Sequence, residues 1–245
     1  MARSLSQVRE QQIQKDRASF VWLVTGLTAP EKKLVNHVCT HSSVRVVNEF
    51  TAEVTHCIAA TTRRDDQFFT RRTMKYCIAV LQHIPVISVE WVREIAGVID
   101  AIMQEKRDRR EGGEDAFSLP LEEFPSYEEY WVMGDEQARH CIVGGPRRSF
   151  DQPSEMLFAG MQMEVRGEFK APLPSRAAIE DLIHRGGGIV RRSDLKEEVR
   201  NDETIMVVVD VGKKEGREKG VTYYWLLDCI SNYQIEDQTD YQCFV

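Results

Sequence analysis

The order of strand and helix signals along this chain occurs twice, and that repetition restricts the available folds more than any other feature. FVWLV (20–24) is a short apolar strand that runs into Thr25-Gly26. Ala29 to His41 follows, with Leu34, Val35 and Val38 at helical spacing and Pro30 in the first turn, where proline is tolerated. VRVV (44–47) and VTHCIAA (54–60) read as strands, and a helix starts from Thr70 as its N-cap. IPVIS (84–88) is a strand, and the helix after it sets Trp91, Ile95 and Val98 or Ile99 on one face. Strands alternating with helices imply a parallel sheet flanked by helices.

After a gap the pattern returns. LFAGMQMEVRG (157–167) is a strand running into Gly167, as the first strand ran into Gly26. Ser175 to Arg185 is amphipathic through Ala178, Ile179, Leu182 and Ile183, and Gly186-Gly187-Gly188 ends it. IV (189–190) and TIMVVVDV (204–211) are strands, and YYWLLDCI (223–230) answers VEWVREI (89–95), each with a central Trp. Gly26 lies 65 positions before Trp91 and Gly167 lies 58 before Trp225, so two similar units are expected, at 18–103 and 156–245. The second unit's counterpart of the helix after Thr70 is weak, because the polar run VGKKEGREKG fills that gap.

Between the units, 104–155 opens with QEKRDRREGGED, mixes acids with Pro and aromatics in SLPLEEFPSYEEY, and closes on GGPRRS. It reads as an interdomain linker partly ordered by its aromatics. Residues 111–138 carry nine acids and no Lys or Arg, which accounts for much of the net charge of −7. An acidic chain is not built mainly to grip nucleic acid, yet acidity confined to a linker leaves room for a local basic site.

Several function classes drop out. No run of 18 apolar residues could span a membrane, and the polar start MARSLSQVREQQIQKDR lacks the apolar core of a secretory signal. The six cysteines (39, 57, 77, 141, 229 and 243) form no Cys-x-x-Cys pair and no zinc spacing, and they read as reduced core thiols of an intracellular protein. The first strand ends in TGLTAPEK rather than a dinucleotide or P-loop fingerprint, and neither a G-x-S-x-G nor an H-E-x-x-H run occurs. Neither an enzyme nor a cofactor is expected. His56, Trp91 and Trp225 read as structural.

One stretch needs a reason. FFTRRTMKYC (68–77) places Arg71, Arg72 and Lys75 in the opening turns of a helix, where the dipole already supplies roughly half a positive charge. Either the three are simply solvated or an anion docks there. Gly26 has no Cβ to keep a ligand off the backbone, the Thr25 hydroxyl is a donor, and phosphate offers strong acceptor oxygens. Arg72 and Lys75, three apart, share a helix face toward such an anion. Taken singly, a Thr-Gly after a strand is a turn and a basic run is a solvated face.

The whole order of motifs resembles the tandem BRCT region of the breast cancer type 1 susceptibility protein family. VTGLT (24–28), VTHCIA (54–59), RRTMKY (71–76), the Y-x-V-x-G-D run at Tyr130 to Asp135, GPRR (145–148) and WLLD (225–228) carry it. GPRRS and FKAPLP (169–174) also look like the BRCT pair of that family's RING-domain partner. The resemblance implies an α/β fold of two BRCT repeats packed in tandem, each a four-stranded parallel sheet flanked by helices. It implies a nuclear DNA damage response module that binds a phosphoserine peptide with an aromatic residue three positions later. Phosphate then falls to Thr25, Gly26 and Lys75, a peptide main-chain contact to Arg72, and the +3 pocket to Cys77, Leu173 and Leu227. Cys77 stands where the family carries a large aromatic. A longer chain is expected to carry a RING domain, a RING heterodimer partner and a role in ubiquitin transfer. The alternative is a histone- or nucleosome-binding BRCT pair.

Overall fold

The computed structural model of the protein describes residues 19–108, 117–191, 205–211 and 218–245. In the first repeat, β1 (Val21–Thr25), β2 (Arg45–Val47), β3 (His56–Ala59) and β6 (Val86–Ser88) form a parallel sheet in the order β2-β1-β3-β6. Helix α1 (Ala29–Thr40) follows β1, with Thr28 and Glu31 capping it reciprocally and Pro30 in its first turn. Helix α2 (Met74–Leu81) lies between the hairpin described below and β6, and α3 (Val89–Asp108) ends the repeat.

The second repeat follows the same order. Strands β9 (Ile189–Arg191), β8 (Gln162–Arg166), β10 (Ile205–Val209) and β11 (Lys219–Thr222) are parallel neighbours, and the helices are α5 (Arg176–Arg185) and α6 (Tyr223–Asn232). A fifth strand, β12 (Gln242–Phe244), pairs antiparallel with β11, so this sheet is larger than the four strands expected. It covers an edge that would otherwise be exposed. The expected counterpart of α2, at 211–220, lies mostly outside the described residues.

Alternation along β1 divides the molecule's interior. Val21 and Leu23 face an apolar core that also contains Cys77, Val80, Phe158, Ile179, Leu182, Trp225 and Leu227, so both repeats share it. Trp22 faces the other way, into a core with Val35, Trp91 and Ile95. Helix α2 packs on both α5 and α6, which makes it the centre of the repeat interface. Trp91 and Trp225 are buried as expected, and each indole N–H donates to a later carbonyl, Pro125 at 2.8 Å and Glu236 at 2.9 Å.

Three local readings need correction. The helix expected from Thr70 begins at Met74 with Thr73 as its N-cap, because residues 61–70 form a hairpin instead. Strands β4 (Thr61–Arg64) and β5 (Gln67–Thr70) pair antiparallel around Asp65-Asp66, both at positive φ, the backbone that tight hairpin turns require. The joining segment is also more ordered than a linker. Helix α3 runs on to Asp108, β7 (Val132–Asp135) pairs parallel with β5, and α4 (Gly145–Asp151) packs on α2 and α6. The segment's aromatics bury themselves, Trp131 and Phe150 in the outer core of the first repeat. Lastly, of the six thiols only Cys57, Cys77 and Cys229 are fully buried, and Cys141 is exposed.

Candidate functional site

The carboxyl ends of parallel strands gather loops at one edge of the sheet, the usual place for a ligand in open α/β folds. Here β1 ends on Thr25, and Gly26 turns the chain with φ +69°. Thr25 pairs with Ala59 of β3, and the side chain of Ala60, just beyond, faces Gly26. A small apolar neighbour leaves this turn open.

Helix α2 brings the rest. The Thr73 hydroxyl accepts from the Tyr76 N–H at 3.1 Å and lies 2.6 Å from the Thr25 hydroxyl. Lys75, on the first turn, donates to the Val24 carbonyl at 3.1 Å. Lys75 is therefore folded back onto the end of β1, beside Thr25 and Gly26. One of its three N–H donors is anchored this way. When Thr25 accepts from Thr73, its own proton is free to point at an anion. The structure thus brings Thr25, Gly26 and Lys75 together, and adds Thr73, which sequence reading missed. A Thr two residues before the Lys, at the true cap, was the available signal.

Arg72 does not share a helix face with Lys75, since it precedes the cap. Its side chain is 5% exposed and its Nε donates to Asp135 at 3.0 Å. Another of its nitrogens donates to Asp228 of α6. The pairing Thr70↔Asp135 between β5 and β7 delivers the first carboxylate, and the second comes from the other repeat. Both carboxylates are bonded further. Asp135 accepts from the Gln137 and Ala138 N–H groups at 2.7 and 2.8 Å and from the Ser231 hydroxyl. Asp228 accepts from the Tyr241 hydroxyl at 2.6 Å and the Arg139 N–H at 3.1 Å. Burial works against the charge of Arg72, and the two carboxylates outweigh it, so its pKa is raised. A buried ion cluster with its remaining lone pairs satisfied is the form in which such pairs are tolerated. Arg71 is exposed and stands apart from this network.

Cys77 and Leu227 are buried in the core shared by the repeats, and Leu173 is half-buried against the same cluster. The three predicted +3 residues thus belong to or pack against one core, and Cys77 and Leu227 are closed off from solvent within it. Burial pushes the Cys77 thiol up to about 12, and the nearby Arg72 charge only partly opposes it. This cysteine is packing material and not a reactive group.

The fold and these contacts define a pair of βα repeats, the first of which carries a hydroxyl-lined turn with a lysine at the carboxyl edge of its sheet. Residues 19–96 match the family model described as the BRCA1 C Terminus (BRCT) domain. The chain is 24% identical over 231 residues to the Arabidopsis thaliana protein BREAST CANCER SUSCEPTIBILITY 1 homolog, covering 86% of this chain and 21% of that one. It is 26% identical over 243 residues to the Rattus norvegicus breast cancer type 1 susceptibility protein homolog, covering 93% of this chain and 12% of that one. Among solved structures, the S. pombe Brc1 BRCT5-BRCT6 domains superpose with a TM-score of 0.53 at 12% identity, covering 89% of this chain and 94% of that one. The fold is a tandem BRCT fold, and the chain spans about a fifth or less of the curated relatives it matches.

Proposed function

We propose that this chain binds phosphoserine peptides across its two repeats, as a non-catalytic scaffold module of a nuclear DNA damage response protein. One observation carries the reading: Thr25, Gly26 and Lys75 converge on the open turn after β1, supported from behind by Thr73. A dianionic phosphate there meets a hydroxyl, a backbone N–H and an ammonium, and each hydrogen bond to a charged group contributes about 1.5–3 kcal/mol. The peptide then runs toward α6. Arg72 contacts its main chain with donors not used by Asp135 and Asp228, and an aromatic +3 side chain enters between Cys77, Leu173 and Leu227.

In this reading the repeats are 18–103 and 156–245, joined by 104–155. A RING domain, its heterodimer partner and ubiquitin transfer belong to further parts of a longer protein.

The test is titration with a pSer-x-x-Phe peptide and its unphosphorylated twin. The phosphorylated form should bind at least tenfold better, and Lys75→Met should abolish the difference. Equal binding of both peptides by the wild-type protein would sink the reading. Nucleosome binding that falls with salt and ignores peptide phosphorylation would replace it with a histone-directed function.

A further inference from the structure

The second repeat has its own copy of the turn after the first strand, and that copy already holds a carboxylate. β8 ends on Arg166, paired with Val209 of β10, as Thr25 pairs with Ala59 in the first repeat. Gly167 (φ +120°) then corresponds to Gly26, and Asp210 to Ala60. A Cβ on Gly26 would rest 3.7 Å from the Ala60 methyl, whereas one on Gly167 would fall 2.1 Å from an Asp210 oxygen. Where the first repeat is open, the second is filled from within.

The filling is specific. One Asp210 oxygen accepts from the Glu168 and Phe169 N–H groups at 2.9 and 3.0 Å, and the other accepts from Val211 N–H at 2.6 Å. Burial works against the ionised form, and the donors of Phe169, Val211 and Glu168 outweigh it, holding the Asp210 pKa below its ordinary value. Phe169 sits at φ +45°, a left-handed conformation that costs a non-glycine residue on the order of 1 kcal/mol. Its ring is buried, 6.0 Å from that of Tyr223 at the start of α6. Further along, the Leu173 N–H donates to the Lys170 carbonyl at 3.0 Å, which turns Leu173 toward the shared core.

We propose that Asp210 is a positioning residue for peptide recognition: its carboxylate stands in for an external anion in the second repeat and fixes the 167–173 loop, which presents Leu173 to the +3 side chain. The inference rests on the phosphopeptide reading above. The Glu168 and Phe169 N–H groups of this second turn are thereby satisfied from within.

The experiment measures four affinities for wild type and Asp210→Ala: pSer-x-x-Phe, pSer-x-x-Ala and the two unphosphorylated twins. Asp210→Ala should keep the preference for phosphorylated peptide and lose about tenfold in its preference for Phe over Ala at +3, the scale of one aromatic burial. Asp210→Asn, which retains an oxygen for Glu168 and Phe169, should recover most of that preference. A general loss of folding would lower all four affinities together and leave the Phe/Ala ratio unchanged. An unchanged ratio in folded Asp210→Ala, or a wild-type protein indifferent to the +3 residue, would overturn the proposal. Should Asp210→Ala fail to fold, amide exchange on the wild type decides: Glu168 and Phe169 should gain protection with the Phe peptide only, and equal protection with both peptides overturns it. A wild-type protein that ignores phosphorylation overturns the parent reading, and that result does not depend on Asp210.

Discussion

Arg72, in the loop before α2, and Asp228, on α6, form a buried ion pair across the repeat interface, with side chains 5% and 2% exposed. Asp135 of the joining segment completes the cluster on the other side of the guanidinium. Three separate parts of the chain are therefore fixed by one cation, which lies next to the proposed peptide path.

Removing that cation leaves two desolvated carboxylates facing each other. Arg72→Gln should destabilise the protein by about 3–5 kcal/mol, because breaking a buried pair exposes the cost of the stranded charges. Asp228→Asn should lose less, since Asp135 still partners the arginine. Urea unfolding of the two single variants and the double variant checks this, and additive losses would show that the pair is not coupled.

Thr73 has two roles at once, capping α2 and facing Thr25. Thr73→Val should cost about 1 kcal/mol of stability through the lost cap. It should also weaken phosphopeptide binding, because Thr25 loses the hydroxyl that orients it. Peptide titration and thermal unfolding separate the effects, and Thr73→Ser, which keeps the hydroxyl for both contacts, should show neither.

His56 lies among the rings of Phe20, Trp91 and Tyr127, at 4.8, 5.6 and 5.3 Å, and is 1% exposed. Desolvation lowers its pKa from 6.5 to about 3. Between those values the unfolded chain binds a proton that the folded protein refuses, so stability falls as pH drops below 6.5. The slope approaches about 1.4 kcal/mol per pH unit from this group alone. Unfolding at pH 7.5 and 5.0 should show it in wild type, and His56→Phe should remove that share of the difference.

Two glycines should respond with opposite signs to alanine. Gly145, at the start of α4, has no room: a Cβ would lie 2.0 Å from the Ser231 carbonyl oxygen on α6. Gly145→Ala should destabilise by about 1–3 kcal/mol as backbone is forced apart. Gly97, inside α3, has nothing within 4 Å of its Cβ position, and Gly97→Ala should stabilise by about 0.5–1 kcal/mol. Melting temperatures of both variants check the contrast.

Much of the scaffold was legible along the chain. Apolar spacing marked α1, α3, α5 and α6, and short apolar runs between turn residues marked β1, β2, β3, β6, β8, β9 and β10. By contrast, β11 (KGVT) and β12 (QCF) carry too few apolar residues to be read as strands. The hairpin at 61–70 was missed because its exposed strand, TTRR, has no apolar face. Its turn is Asp-Asp rather than the usual Asn-Gly or Asp-Gly. Missing it moved the cap from Thr73 to Thr70 and put Arg72 inside a helix it precedes. Composition hid the order of the joining segment, since Glu122, Glu123, Glu128 and Glu129 lie exposed while Asp135 is buried against Arg72 and Trp131 and Phe150 fill a core that only the folded repeat provides.

By itself, the sequence determined the two βα repeats, the glycine turns after β1 and β8 and the buried tryptophans, because each is written in local periodicity or in one residue's backbone freedom. It also marked Thr25, Gly26 and Lys75 as a possible seat for an anion. Tertiary structure decided how the three bases of FFTRRTMKYC divide their work. Lys75 turns to the end of β1, Arg71 stays in solvent, and Arg72 is drawn to Asp228, 156 positions away. It likewise decided that Asp210 fills the second turn while Ala60 leaves the first one open. Charges choose partners by distance and desolvation, and neither is defined until the repeats have packed.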